Sequence, residues 1–290
     1  MRAWPFVLLL LTLPVSGRAA PRTNAAKALH ALFTTAWDQE MQERPEDASE
    51  LGDRRWNDRW TDRSPEAYAR RDQNNHQILA KLAQIDRNQL SKTDQLNYDL
   101  FQKRYADRTE QYKVRWFLMS FNQREGPQTS DDLGSSLRFE TVKDYEDWLA
   151  RLRAVPTALD QFTALLRQGI REHMVHPRII MERIPAQIDK QIVSDPTQSG
   201  FYKPFRSFPD EISSADQQRL QQEARQAVEQ QVVPAFAKLK QFFVSEYLPA
   251  CYDHVGAWQL PKGGELYAQM IRHYTTTNET PEEVHQIGLK

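Results

Sequence analysis

With a single cysteine, Cys251, in 290 residues, the chain can form no internal disulfide and build no cysteine-based zinc site. Its stability has to come from packing. Glycine is scarce as well, at 10 residues, and no alternating run of β-branched side chains lies between turn signals, so nothing in the sequence reads as a sheet. Neither sign of charge dominates: 38 Lys and Arg stand against 39 Asp and Glu, which gives no electrostatic drive toward nucleic acid or an anionic membrane surface. The GxSxG elbow, the phosphate-binding glycine loop and the dinucleotide fingerprint are missing too, since Gly263-Gly264 is an isolated pair after Pro261. What the chain does have is large apolar groups, with 7 Trp, 10 Tyr and 13 Phe, enough to build a core.

The first residues read as an export signal. After Met1 and Arg2 comes an apolar run from Trp4 to Leu13, then Pro14 and a small-residue stretch ending Ala19-Ala20. A run of roughly ten apolar residues is too short to cross a bilayer core of ~30 Å as a helix. Cleavage after Ala19 puts Gly17 and Ala19 at the two small-residue positions, so the expectation is a signal peptide over 1–19 and one helical domain over 20–290. No cysteine lies near that cleavage site to carry a lipid. Losing Arg2 and Arg18 makes the mature chain more acidic by two charges, and its destination is the periplasm or the medium. No membrane contact is expected once the signal is gone.

The remainder reads as helix after helix, an all-α chain. In a capping box a Ser or Thr oxygen accepts from the free amide three residues on, and an acid there reaches back. Ser91 with Asp94, Thr141 with Asp144, Ser213 with Asp216 and Thr280 with Glu283 carry that signature, and Ser64 before Pro65 is a related start. Behind them Val142, Tyr145, Leu149 and Leu152 fall on one helical face, as do Leu159, Phe162, Leu166 and Ile170. The longest helix is predicted from Ser213 to about Leu248, with Pro234 kinking or dividing it. Breaks are expected near 44–47, 126–136, 195–209 and 261–264; the third carries Phe201, Tyr202, Phe205 and Phe208 among prolines and reads as a loop with aromatic anchors.

Candidates for chemistry are few. His173 and His176 could share a metal on a helix, but no third ligand is placed by the sequence and no HExxH is formed, so a solvated or packed helix end is the better reading. His254, His273 and His285 are explained by salt bridges on helix surfaces. Cys251 reads as a buried small hydrophobe. Arg54, Arg55, Trp56, Arg59 and Trp60 alternate with Asp53, Asp58 and Asp62, a salt-bridged and half-packed face rather than a nucleic-acid patch.

Four stretches read in order carry a resemblance: Leu51-Gly52-Asp53-Arg54-Arg55-Trp56, Ser130-Asp131-Asp132-Leu133-Gly134, Ile180-Met181-Glu182-Arg183-Ile184-Pro185-Ala186-Gln187, and Thr275 through Leu289 with its Thr-Pro-Glu-Glu-Val-His core. Together they resemble the bacterial family known as domain of unknown function 885, over nearly all of the mature chain. That family is similar to helical zincin-type peptidases, commonly exported, in which two mostly helical lobes enclose a long cleft. The resemblance implies an all-α, multi-helix array corresponding to one lobe. In the family an HExxH helix C-terminal to the Thr-Pro-Glu-Glu-Val-His segment binds zinc, its glutamate activating the bound water.

This sequence contains no HExxH and reaches Lys290 as that region begins, so no catalytic or zinc-binding residue is carried over to it. The expectation is an N-terminal portion, non-catalytic as it stands and without a cofactor of its own, zinc belonging to the full-length family. The short helix after Thr280 supports this, because Val284, Ile287 and Leu289 need packing partners that the sequence does not supply. Arg183, His273 and His285 are the candidate substrate-side contacts, with ion pairs or helix caps as the plainer account of each. A peptide substrate or the missing C-terminal lobe is the expected partner, and a separate chain could supply that lobe. The alternative is a complete, non-catalytic periplasmic protein that binds a peptide or a partner through an exposed apolar face.

Overall fold

Every capping signature read from the sequence closes the start of a helix. A computed structural model describes residues 24–119 and 121–290, and the expected signal peptide lies outside them. The helices are α1 (Asn24–Glu43), α2 (Pro45–Glu50), α3 (Pro65–Ala83), α4 (Lys92–Lys113), a one-turn α5 (Leu133–Ser136), the long α6 (Val142–Arg171), a one-turn α7 (Arg178–Met181), α8 (Ile184–Asp189), α9 (Ser214–Ala227), α10 (Val233–Phe242), a short α11 (Leu248–Ala250), α12 (Gly263–Thr275) and α13 (Pro281–Gly288). Among the described residues there is no strand, only an isolated bridge between Pro177 and Tyr252, so the chain is all-α. Thr141 with Asp144 and Thr280 with Glu283 are complete capping boxes. Ser91 and Ser213 accept from the amides of Asp94 and Asp216 but donate their hydroxyls to the same acids, so there the reach back goes to the side chain.

Prolines are absorbed without breaking the helices. Proline lacks the amide and its ring presses on the carbonyl four residues back. Upstream of Pro234 the backbone widens into a π turn over Val228–Val232, and upstream of Pro249 into a second over Phe243–Tyr247. The expected kink at Pro234 is therefore a change of helical pitch in a path that stays helical from Ser214 to Ala250. The two apolar runs after Thr141 form one helix of 30 residues that passes straight through Pro156.

Helix α6 is the axis of the main core. Tyr145, Trp148, Leu149, Leu152, Leu159, Phe162 and Leu166 are all buried, against Leu220, Val228, Val232, Phe236 and Phe243 of the α9–α11 path. The 195–209 segment packs as expected: Phe201, Tyr202 and Phe205 are buried, and the carbonyl of Phe201 accepts the Trp148 indole N–H at 2.9 Å. Helices α1, α3 and α4 form a smaller bundle with Leu29, Leu32, Leu82 and Tyr98 inside. A third cluster, with Leu118, Leu165, Leu260 and Leu266, joins that bundle and α12 to the end of α6.

Two features fix how the parts meet. Arg151 of α6 is fully buried, and its guanidinium donates to the carbonyls of Arg59, Pro45 and Trp56 and to the Ser49 hydroxyl. It ties α2 and the turn after it to α6. At the other end of α6, a Cβ on Gly169 would lie 2.8 Å from the Met174 carbonyl oxygen, so glycine is what lets the chain double back tightly there. Gly169→Ala is expected to lose about 1–3 kcal/mol in chemical denaturation, because the close neighbour is backbone and has no rotamer to yield with.

Candidate functional site

The C-terminal pair of helices exposes what the rest of the fold hides. Helix α12 begins after Lys262, which sits in the left-handed region at φ 55°, and ends at Thr276, left-handed at φ 60°. Leu266 belongs to the cluster shared with α4 and Ile271 is buried, whereas Tyr267 and Tyr274, seven residues apart and so on one stripe, are 49% and 69% exposed. Helix α13 has no buried residue, and Ile287 and Leu289 stand 60% and 67% exposed. Of the three residues that need packing partners, Ile287 and Leu289 are exposed, whereas Val284 is half-buried. The two tyrosines extend the same surface and were not singled out from the sequence; their seven-residue spacing was the available signal.

This surface is held by local polar contacts. The Thr280 amide and hydroxyl both donate to Glu283, at 2.7 and 2.9 Å, and these bonds hold the Glu283 carboxyl below its ordinary range. His273 meets the Gln111 amide nitrogen at 3.3 Å through Nδ1 and lies 3.7 Å from Asp107, so α12 is pinned to α4 by polar groups as well as by Leu266. Gln269, 3% exposed, and Glu279 each bury a side-chain oxygen without a hydrogen bond. Such orphans cost free energy and are usually satisfied by a partner or water.

The candidate contacts from the sequence do not share a neighbour. Arg183 precedes α8, is exposed, and donates to the Gln123 side chain at 3.2 Å. His273 sits on α12 with Gln111 and Asp107. His285 is exposed on α13 and makes no ion pair with a described residue, so the salt-bridge account of the three late histidines holds for His273 and fails for His285, while His254 has only the charge of the neighbouring Asp253. None of the three is a buried ion pair.

The residues present do not fit a zinc ion. Among the described residues no three His, Cys, Asp or Glu side chains converge as ligands. His173 lies past the end of α6 in the left-handed region, at φ 56°, and not on a helix with His176. His176 is 8% exposed, and both of its ring nitrogens are used. Nε2 faces the Met119 carbonyl at 3.2 Å, which can only accept, so Nε2 carries the proton and Nδ1 accepts from the Tyr247 hydroxyl at 2.8 Å. Burial pulls the His176 imidazole down to about 4. Cys251 is buried, its thiol pushed up to about 12 by burial and set against the Tyr247 carbonyl, an inert small hydrophobe.

The basic and aromatic run near residue 55 is equally accounted for. Arg54 reaches Asp144 and Glu140, Arg55 takes Asp53 and Asp38, and Arg59 takes Asp58. It is a salt-bridged surface, with Arg59 stacked over Trp56. Among the described residues no helix is long and apolar enough to cross a membrane.

Residues 45–290 match the family described as "Bacterial protein of unknown function (DUF885)". The fold is also that of "the putative lipoprotein from Colwellia psychrerythraea", whose crystal structure superposes with a TM-score of 0.80 at 18% identity, over 92% of this chain and 49% of that one. The chain thus spans about half the length of that solved relative. No curated protein matches the sequence.

Proposed function

The chain belongs to the DUF885 family, and from that premise we propose that it is the N-terminal lobe of an exported, peptidase-like protein. It supplies one wall of a substrate cleft and has no catalytic chemistry of its own. The observation that carries this reading is the outward apolar surface of α12 and α13, where Tyr267, Tyr274, Ile287 and Leu289 are all about half exposed or more. Apolar surface of that kind marks a place where something docks. The longer relative with the same fold supports a second lobe as the occupant.

Export is supported by the apolar run and small-residue stretch before Ala20 and by the lipoprotein description of the Colwellia relative. Cleavage after Ala19 would deliver the lobe to the periplasm or the medium. In the assembled protein a zinc ion bound elsewhere would activate water, and this lobe would orient peptide, with Arg183, His273 and His285 as the side chains to test for substrate contact. The chain alone is expected to retain no stoichiometric zinc by elemental analysis and to cleave no peptide in a fluorogenic panel. About one equivalent of zinc together with cleavage would overturn the assignment.

The docking surface has its own test. Ile287→Asp and Leu289→Asp are each expected to change the stability of the isolated chain by no more than about 0.5 kcal/mol, because both side chains already face water. The same substitutions should weaken association with a second lobe at least tenfold in a titration. A stability loss of several kcal/mol in the isolated chain would show that the surface is already covered.

A further inference from the structure

The bundle of α1, α3 and α4 has a polar interior at one end. Ala36, Ile78 and Tyr105 close a small apolar cluster, and beyond it the three helices surround a cavity of about 460 Å³ walled on another side by Trp116 and Phe117. On α3 the wall includes Tyr68, Arg71, Asp72 and Asn75, at the i, i+3, i+4, i+7 spacing where an amphipathic helix would place leucines, with Asn74 and Ile78 beside them. An inward stripe of that chemistry is costly unless its charges are cancelled.

Most of them are. Glu40 receives Arg104 and Arg108, each at 2.6 Å, Glu43 receives Arg71 at 2.9 Å, and Asp47 receives Arg44 at 3.2 Å. Of the rest of the charged wall, Glu46 accepts from the Thr61 amide and hydroxyl, which leaves Asp72 and Arg63 without a close partner. Asp72 buries Oδ1 without a hydrogen bond, its Oδ2 is 3.6 Å from the exposed His76, and burial raises its carboxyl above the ordinary range. Arg63 gives its backbone N–H to Gln161, but its guanidinium has no hydrogen bond or ion pair among the described residues. The two do not pair with each other.

A ligand carrying one charge would leave the opposite group unpaired, whereas a ligand carrying both answers each with a charge-assisted bond. We propose that this cavity binds a small zwitterion, a free α-amino acid or short peptide, with its ammonium on Asp72 and its carboxylate on Arg63. Ile78 and Tyr112 then form the apolar wall for the ligand side chain. The volume lies within the range of small-molecule sites, roughly 300–1,000 Å³. This site is separate from the α12–α13 surface, so its failure leaves the lobe assignment standing, and the reverse.

The test uses the purified chain with a panel of free α-amino acids and unmodified dipeptides, each compared with its N-acetylated and C-amidated forms by calorimetry. Binding of at least one free member is expected, with each modification weakening it at least tenfold. In Asp72→Asn the penalty for acetylation should vanish, and in Arg63→Gln the penalty for amidation. Neither variant should melt far below the wild type, since Arg63 has no ion pair among the described residues and Asp72 has only the long contact with the exposed His76. The proposal is overturned if no panel member binds, if modified forms bind as well as free ones, or if folded variants keep the wild-type discrimination. Should a variant fail to fold, the comparison of free and modified ligands on the wild type decides alone.

Discussion

Replacing Arg151 with alanine is expected to cost about 3–5 kcal/mol of unfolding free energy, the largest effect of any single substitution away from the aromatic core. The side chain is fully buried with no carboxylate in hydrogen-bond contact, and burial pulls its pKa down to about 10, which still leaves it charged at neutral pH. What keeps a cation there is a cage of oxygens: Arg59 carbonyl at 2.9 Å, Pro45 carbonyl at 3.1 Å, Trp56 carbonyl at 3.3 Å and Ser49 hydroxyl at 2.8 Å, with the Trp60 ring 5.5 Å away. Removing the guanidinium orphans buried acceptors at roughly 1–3 kcal/mol for each one left unsatisfied, and the emptied volume adds a cavity cost. Part of this is offset because a desolvated charge goes too, and the Nη1 nitrogen is itself unpartnered. Arg151→Met, which fills the space, should therefore lose less than Arg151→Ala. Denaturation with urea gives the free energies, and hydrogen exchange over residues 45–59 should rise in both variants. A loss under 1 kcal/mol for the alanine variant would mean that the α2 segment is held by something else.

The second large effect is on pH. His176 is held near pKa 4 by burial, against an ordinary value of about 6.5 in the unfolded chain. Between those values the unfolded chain binds a proton that the folded one refuses, so stability contributed by neutral His176 is complete above about 6.5 and is lost as pH falls toward 4. Each pH unit in that window is worth about 1.4 kcal/mol, which amounts to ~2 kcal/mol between pH 7 and 5. His176→Asn keeps a donor and an acceptor for Met119 and Tyr247 but cannot titrate. It should begin less stable than the wild type at pH 7 and show a flatter profile down to pH 5. Parallel wild-type and variant profiles would show that the imidazole takes up its proton in the folded state.

What could be read beforehand was what short-range chemistry decides. Ser64, Ser91, Thr141, Ser213 and Thr280 start helices because a hydroxyl three residues before a free amide is a local arrangement that tertiary contacts seldom override. The aromatic anchors between residues 195 and 209 were legible for a similar reason, since large rings among prolines have to be buried where they fall. Proline 156 was opaque: whether a helix continues past a proline depends on the packing on both sides, and α6 is held from end to end by core contacts. Arg151 and Asp72 were opaque too, because a charge within a helical pattern reads as solvent-facing until the neighbouring helices are placed around it. Of the surface on α12 and α13, Ile287 and Leu289 could be read as lacking partners, while the exposure of the two tyrosines depended on how α12 sits against α4. Arg183, His273 and His285 came from a resemblance, and the fold gives each a different set of neighbours.

If these residues form one lobe of a larger assembly, the mass of the native species extracted from its own cells under non-denaturing conditions will reveal it. The sequence should be found in a particle well above the 33.9 kDa of the chain, as one longer polypeptide or a tight complex, with exchange in residues 281–288 slowed relative to the isolated chain. A monomer no heavier than the chain, with α13 exchanging freely and nothing bound to it, would mean that no second lobe covers this surface.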